Sequence, residues 1–202
     1  MSIFAAILLA ATIDRIAALV DRQVLTVSEI GQMAEIRFFP RTSGWSDDDY
    51  RKNILDALIA QALRFRDVER FGAEDVSKDA IEARLLQIQQ RFASPADFTT
   101  ALQRTELTLE EVRALIKRQL QVETYIQERF APMIFVATEE IENYYKGPWT
   151  QQRRARGLPV PSLAEVQDEI RSQLKSTRLQ QEVERWTTQL RSRANVDIYA
   201  LK

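Results

Sequence analysis

Two short runs rich in β-forming residues, Ile16 to Val20 and Val24 to Val27, flank a tight turn near the start of a chain whose remainder has helical periodicity. A two-stranded hairpin alone is marginal in water and needs a third strand or a helical backing. The other end of the chain offers one: in ANVDIYALK, Val196, Ile198 and Ala200 alternate with Asp197, Tyr199 and Leu201. The two ends are therefore expected to meet in a small sheet, which makes the core noncontiguous in sequence.

Between these ends the helices are marked by their caps. Only five Gly and six Pro in 202 residues leave few turn signals, so long helices with short joints are expected. Ser28 is placed to cap a first short helix, Ser46 a long one that ends at Gly72, and Ser77 a one-faced helix through Phe92. Ser94 with Pro95 begins another, Thr108 to Glu111 forms a capping box, and Thr138 starts a brief helix. The Ser46 helix carries Tyr50, Ile54, Leu55, Leu58, Ile59, Ala62, Leu63 and Phe65 on more than one stripe, the pattern of a central hub.

GPWTQQRRARGLPVP, from Gly147, reads as a loop, and its Arg153, Arg154 and Arg156 as solvated charge rather than a nucleic-acid contact. A second capping box, Ser162 to Glu165, then opens a helix of roughly 31 residues, about 46 Å long. Its stripes Val166, Ile170, Leu174 and Leu179, Val183, Trp186, Leu190 are out of register, so its halves should face different partners.

The chain has no histidine and no cysteine, which excludes Ser-His or Cys-His nucleophiles and imidazole or thiolate zinc sites. No glycine pattern of a phosphate-binding loop occurs, so neither cofactor nor metal is expected. A net charge of -1 provides no field for nucleic acid or an anionic membrane. At the N-terminus, SIFAAILLAA is a short apolar run ending in small residues, like a secretory leader, although no Lys or Arg precedes it; a buried first element is the alternative.

The ordered set VLTVSEI, ERFGAEDVSKDAIEARL, LTLEEVRALIKRQLQVETYI and VATEEIENYY resembles the N-terminal chaperone domain of the SurA, PpiD and PrsA family of bacterial foldases. The resemblance implies a mainly α fold with a small antiparallel sheet joining the hairpin to the C-terminal strand, and a long C-terminal helix. After the leader-like run at 1–11, it implies a helical body at 12–146, a loop at 147–161 where the family has a parvulin isomerase domain, and a completing helix and strand at 162–202. That loop has no room for such a domain, and the parvulin histidines are missing. The expected function is ATP-independent binding of unfolded periplasmic, outer-membrane or secreted clients through an apolar groove, without isomerase activity. The alternative is a scaffold that docks one fixed partner along the last helix. Candidate client-binding residues are Phe38, Phe39 and Trp45, Phe130, Met133 and Phe135, and Tyr145 and Trp149; the same side chains could instead close the core at its corners. The implied partners are unfolded polypeptides, with no nucleic acid, no stable membrane insertion once a leader is removed, and a homodimer left open.

Overall fold

The computed structural model describes residues 14–72 and 74–199. The leader-like run 1–11 and the last three residues lie outside them. The described chain divides into two compact units. One contains the residues up to Ala62, Glu82–Arg113 and those from Ala194 on; the other contains Leu63–Ile81 and Ala114–Arg193.

In the first unit, β1 (Ile16–Val20), β2 (Gln23–Thr26) and β3 (Val196–Ile198) form an antiparallel sheet in the order β2-β1-β3. The ends of the chain do meet. Asp21, in the left-handed conformation at φ 51°, turns β1 into β2, and Ala18 faces Ile198 while Val20 faces Val196. Ala17, Ala18, Val20 and Leu25 are buried on this sheet.

Helix α1 (Val27–Glu35) starts two residues earlier than expected. Its cap is Thr26, whose Oγ1 accepts the Glu29 amide at 3.1 Å, while the Ser28 amide donates to Asp14 Oδ1. A hydroxyl within the first turn is replaced by one just before it, because β2 leads straight into the helix with no joint. The helix closes on Arg37, left-handed at φ 51°, with the Phe38 amide bonded to Met33 O and the Arg37 amide to Ala34 O. That is the usual 6→1 closure of a helix end, here without glycine.

The long helix α2 (Asp47–Phe71) is capped by Ser46, whose Oγ accepts the Asp49 amide at 3.1 Å. Tyr50, Ile54, Leu55, Leu58, Ile59, Leu63 and Val68 are all buried along it. Helix α3 (Lys78–Gln89) is capped by Ser77, and α4 (Pro95–Thr105) by Ser94. Helix α5 (Leu109–Arg129) opens with the expected box, Thr108 N donating to Glu111 Oε2 at 2.8 Å and Glu111 N to Thr108 Oγ1 at 3.2 Å.

In the second unit, α5 is followed by a 3-10 turn, Ala131–Met133, and by α6 (Thr138–Tyr144), whose cap position is Ala137 rather than Thr138. Ala137 offers no side-chain oxygen, so Glu140 Oε2 accepts its amide at 2.9 Å instead. The segment read as a loop from Gly147 is largely helical: a π-helical turn, Tyr145–Trp149, runs into α7 (Thr150–Ala155). Pro148 removes a backbone donor inside that turn, and Thr150 Oγ1 donates to the carbonyl of Tyr145 at 2.6 Å. Helix α8 (Leu163–Arg193) has the expected 31 residues. Val166 and Ile170 at its start pack with Val136, Ile141 and Trp149, joined by Tyr144, Tyr145, Val160, Leu163 and Leu174.

Candidate functional site

The second half of α8 faces a different set of side chains. At the C-terminal end of α2 the chain stops at Gly72 (φ 89°), leaving Phe71 on the last turn with 61% exposure. The end of α5 places Tyr125, Arg129 and Phe130 beside it, and α8 adds Trp186. Four rings result in mutual contact: Phe71 stacks on Tyr125 at 6.3 Å, Tyr125 meets Trp186 at 5.6 Å, and Phe130 meets Trp186 at 5.3 Å. The Arg129 guanidinium lies over both Phe71 and Tyr125, at 5.3 and 5.7 Å. These are ordinary cation–ring distances.

The rings line an open groove of about 410 Å³. Its rim carries Arg70, Arg129, Arg185 and Arg193 together with Asp67 and Glu182. Trp186 is held in orientation by donating Nε1 to Asp67 Oδ2 at 3.1 Å, and Arg64 donates to Thr187 Oγ1 at 2.7 Å one residue further on. Burial lowers the pKa of Arg64 and raises that of the Tyr125 phenol.

Beyond Phe130, the connection to α6 presents Met133 at 68% and Phe135 at 76% exposure. The exposure of Phe135 is not a frayed end. Its carbonyl is bonded by Arg178, which also pairs with Glu140.

The candidate residues from the sequence fall into distinct places. Phe130 lines the aromatic groove, and Met133 and Phe135 are exposed on the connection that follows it. Trp149 is buried at 3% exposure and Tyr145 stacks on it at 5.5 Å while donating its hydroxyl to Pro161 O, so this pair closes a core. Arg153, expected to be solvated, lies over Trp149 at 4.8 Å and donates to Pro159 O. In the first unit Phe38 is buried, whereas Phe39 and Trp45 are half-buried. Phe71, Tyr125 and Trp186 were not among the candidates. Their one sequence signal is a ring at the end of each of two helices, at Phe71 before Gly72 and at Phe130 after Arg129, facing the second stripe of α8. Among the described residues no group of acidic side chains could hold a metal ion.

No protein-family model matches the chain. The curated protein named Chaperone SurA from Saccharophagus degradans is 25% identical over 139 residues, and that from Pseudomonas syringae pv. tomato is 30% identical over 137 residues. This chain resembles the SurA chaperones. The matches cover 66% and 65% of it, but only 32% of either relative, so the chain corresponds to about a third of the length of a SurA protein. The Pseudomonas fluorescens SurA, at 28% identity over 137 residues, has the same coverage. The likeness to SurA accords with the helical body, the three-stranded sheet that joins the ends and the long α8.

Proposed function

We propose that the chain is an ATP-independent chaperone that holds unfolded polypeptide segments, aromatic ones above all, in the Phe71–Trp186 groove and on Met133 and Phe135. The observation that carries this reading is a groove lined by rings in which Phe71 is 61% exposed, together with the exposed Met133 and Phe135 on the connection after Phe130. Covering such a side chain is favourable by about 1.5–3 kcal/mol. Rings accept many partners through stacked or edge-on contacts, the flexible Met133 adapts to irregular shapes, and a rim of both charge signs excludes neither acidic nor basic segments. The likeness to proteins named Chaperone SurA supports the same class.

Nothing in the sequence has the form of a nucleotide loop, which supports action without ATP. The missing histidines, and the short helical segment 147–161 where the family has a parvulin domain, support the lack of isomerase activity. Action in the periplasm rests on the leader-like run at 1–11, with a mature N-terminus near Ala11 to Asp14. A scaffold docking one partner along α8 has less support, because the first stripe of that helix is taken up in the core with Val136, Ile141 and Trp149.

The deciding experiment is light scattering of a chemically unfolded test protein diluted into buffer with increasing amounts of this chain and no nucleotide. Suppressed scattering for several unrelated test proteins supports the reading. Unchanged scattering, together with tight binding of a single folded partner, overturns it.

A further inference from the structure

The first unit contains a second groove, of about 420 Å³, lined by Ala34, Arg37, Phe39, Pro40, Arg41, Tyr50 and Arg91. Three of these seven are arginines and none is a carboxylate. Arg37 Nη1 bonds to the carbonyl of Arg91, and Arg91 Nη1 returns bonds to the carbonyls of Arg37 and Phe38, at 2.5 and 2.6 Å. Carbonyls satisfy donors without neutralising charge. Among the described residues no carboxylate is bonded to Arg37 or Arg91, whereas Arg41 is shared with Asp47 at 2.8 Å.

The arginines are also held in place. The Arg37 guanidinium lies over Phe92 at 4.6 Å and that of Arg41 over Tyr50 at 5.4 Å, while Tyr50 donates its hydroxyl to Phe39 O at 2.6 Å. Burial, ahead of any charged neighbour, lowers the pKa of Arg91. A guanidinium has five N–H donors, and Arg37 and Arg91 each direct a single nitrogen to the carbonyls. Further donors are therefore left in a groove whose lining also includes Phe39 and Pro40.

We propose that this groove captures a carboxylate on an unfolded polypeptide that also carries an aromatic residue, so that acidic–aromatic segments are the preferred clients. The carboxylate matches the planar donor edge of an arginine, and the neighbouring ring matches the half-buried Phe39 and the exposed Pro40. A small anion alone would leave that apolar wall unused. The inference rests on the reading of the chain as a polypeptide binder, but it concerns a separate groove and a separate chemical preference.

The test uses the full chain and two fluorescently labelled peptides that differ only by Glu in one and Gln in the other, next to a shared Phe. At low salt the Glu peptide should bind about fivefold more tightly, the size of an exposed ion pair, and the preference should shrink as salt is added. Binding of the Glu peptide should shift the NMR signals of Phe39 and Tyr50. Arg37→Gln should remove most of the preference for Glu over Gln.

Equal affinity for the two peptides overturns the proposal alone, because binding of the neutral peptide keeps the chaperone reading intact. Failure of both peptides to bind overturns both. A preference accompanied by shifts only outside the groove, or a single-stranded oligonucleotide that displaces the Glu peptide at lower concentration than a second acidic peptide does, also overturns it. Should Arg37→Gln fail to fold, the wild-type peptide pair and its NMR shifts decide.

Discussion

Asp21 and Asn195, 174 positions apart in sequence, hold each other by two hydrogen bonds: the Asp21 amide donates to Asn195 O at 2.7 Å and the Asn195 amide to Asp21 Oδ1 at 2.8 Å. With the Tyr199 amide on Ala17 O at 2.9 Å, they fix the ends of β3 against β1.

Deleting residues 195–202 removes these three bonds and opens a new sheet edge. At about 0.5–1.5 kcal/mol each, these three alone contribute roughly 1.5–4.5 kcal/mol, and the β1–β3 ladder is lost with them. The apolar share is modest, since Val196 is only half-buried and Ile198 is 48% exposed. A truncated chain should melt at lower temperature and lose anti-aggregation activity with it; an unchanged melting temperature would show that β3 does not stabilise the fold.

Exposure and burial separate binding from stability among the aromatic residues. Phe135→Ala should change stability by less than about 0.5 kcal/mol, and Phe71→Ala, which loses the Tyr125 stack and the Arg129 contact, by about 1–2 kcal/mol; both should weaken suppression of aggregation. Trp149→Ala, at 3% exposure, should cost about 3–5 kcal/mol through the cavity it leaves. Urea melts and light scattering on the same preparations check both, and loss of stability without loss of activity in Phe71→Ala would contradict the groove's role.

Acid should unfold the chain through its helix caps. Hydrogen bonds from the Ser162 hydroxyl lower the pKa of Glu165, and those from the Thr108 amide lower that of Glu111. A lowered folded pKa contributes stability above the unfolded value of 4.5, and that stability is lost as pH falls through the folded one. Glu165→Gln should therefore flatten the fall of the melting temperature below pH 4.5. Glu128 has the opposite sign: burial first and Glu74 second raise its pKa, so its contribution is present at low pH and lost as pH rises above 4.5. Glu128→Gln should raise the melting temperature at neutral pH, and identical pH profiles for wild type and both variants would refute these assignments.

Isomerisation of a proline-containing tetrapeptide should proceed at the uncatalysed rate in the presence of the chain. Acceleration that copurifies with the protein would overturn the expectation drawn from the missing histidines.

What could be read from the residues was local. The alternation of Val196 and Ile198, the hydroxyls at 46, 77, 94, 108 and 162, and the 31-residue span of α8 each follow from patterns a few residues long. Ser28 misled because Thr26 is also a hydroxyl and the helix follows β2 without a joint. The Gly147–Pro148 pair reads as a break, but a π-helical turn accommodates it. The four-ring groove joins the ends of three helices through tertiary packing, and no spacing rule connects Phe71, Tyr125 and Trp186. Arg37 in a left-handed conformation at a helix end carries no signal, since glycine is the residue a reader looks for there.

The sheet also imposes an order of events on any process that delivers the chain from its N-terminus. At about 5–20 residues per second, β3 leaves the ribosome roughly ten to thirty-five seconds after β1. For that interval the hairpin has an open edge on β1, the strand that later lies at the centre of the sheet. A protein proposed to shelter the unfinished chains of others thus passes through a stage in which it needs such shelter itself.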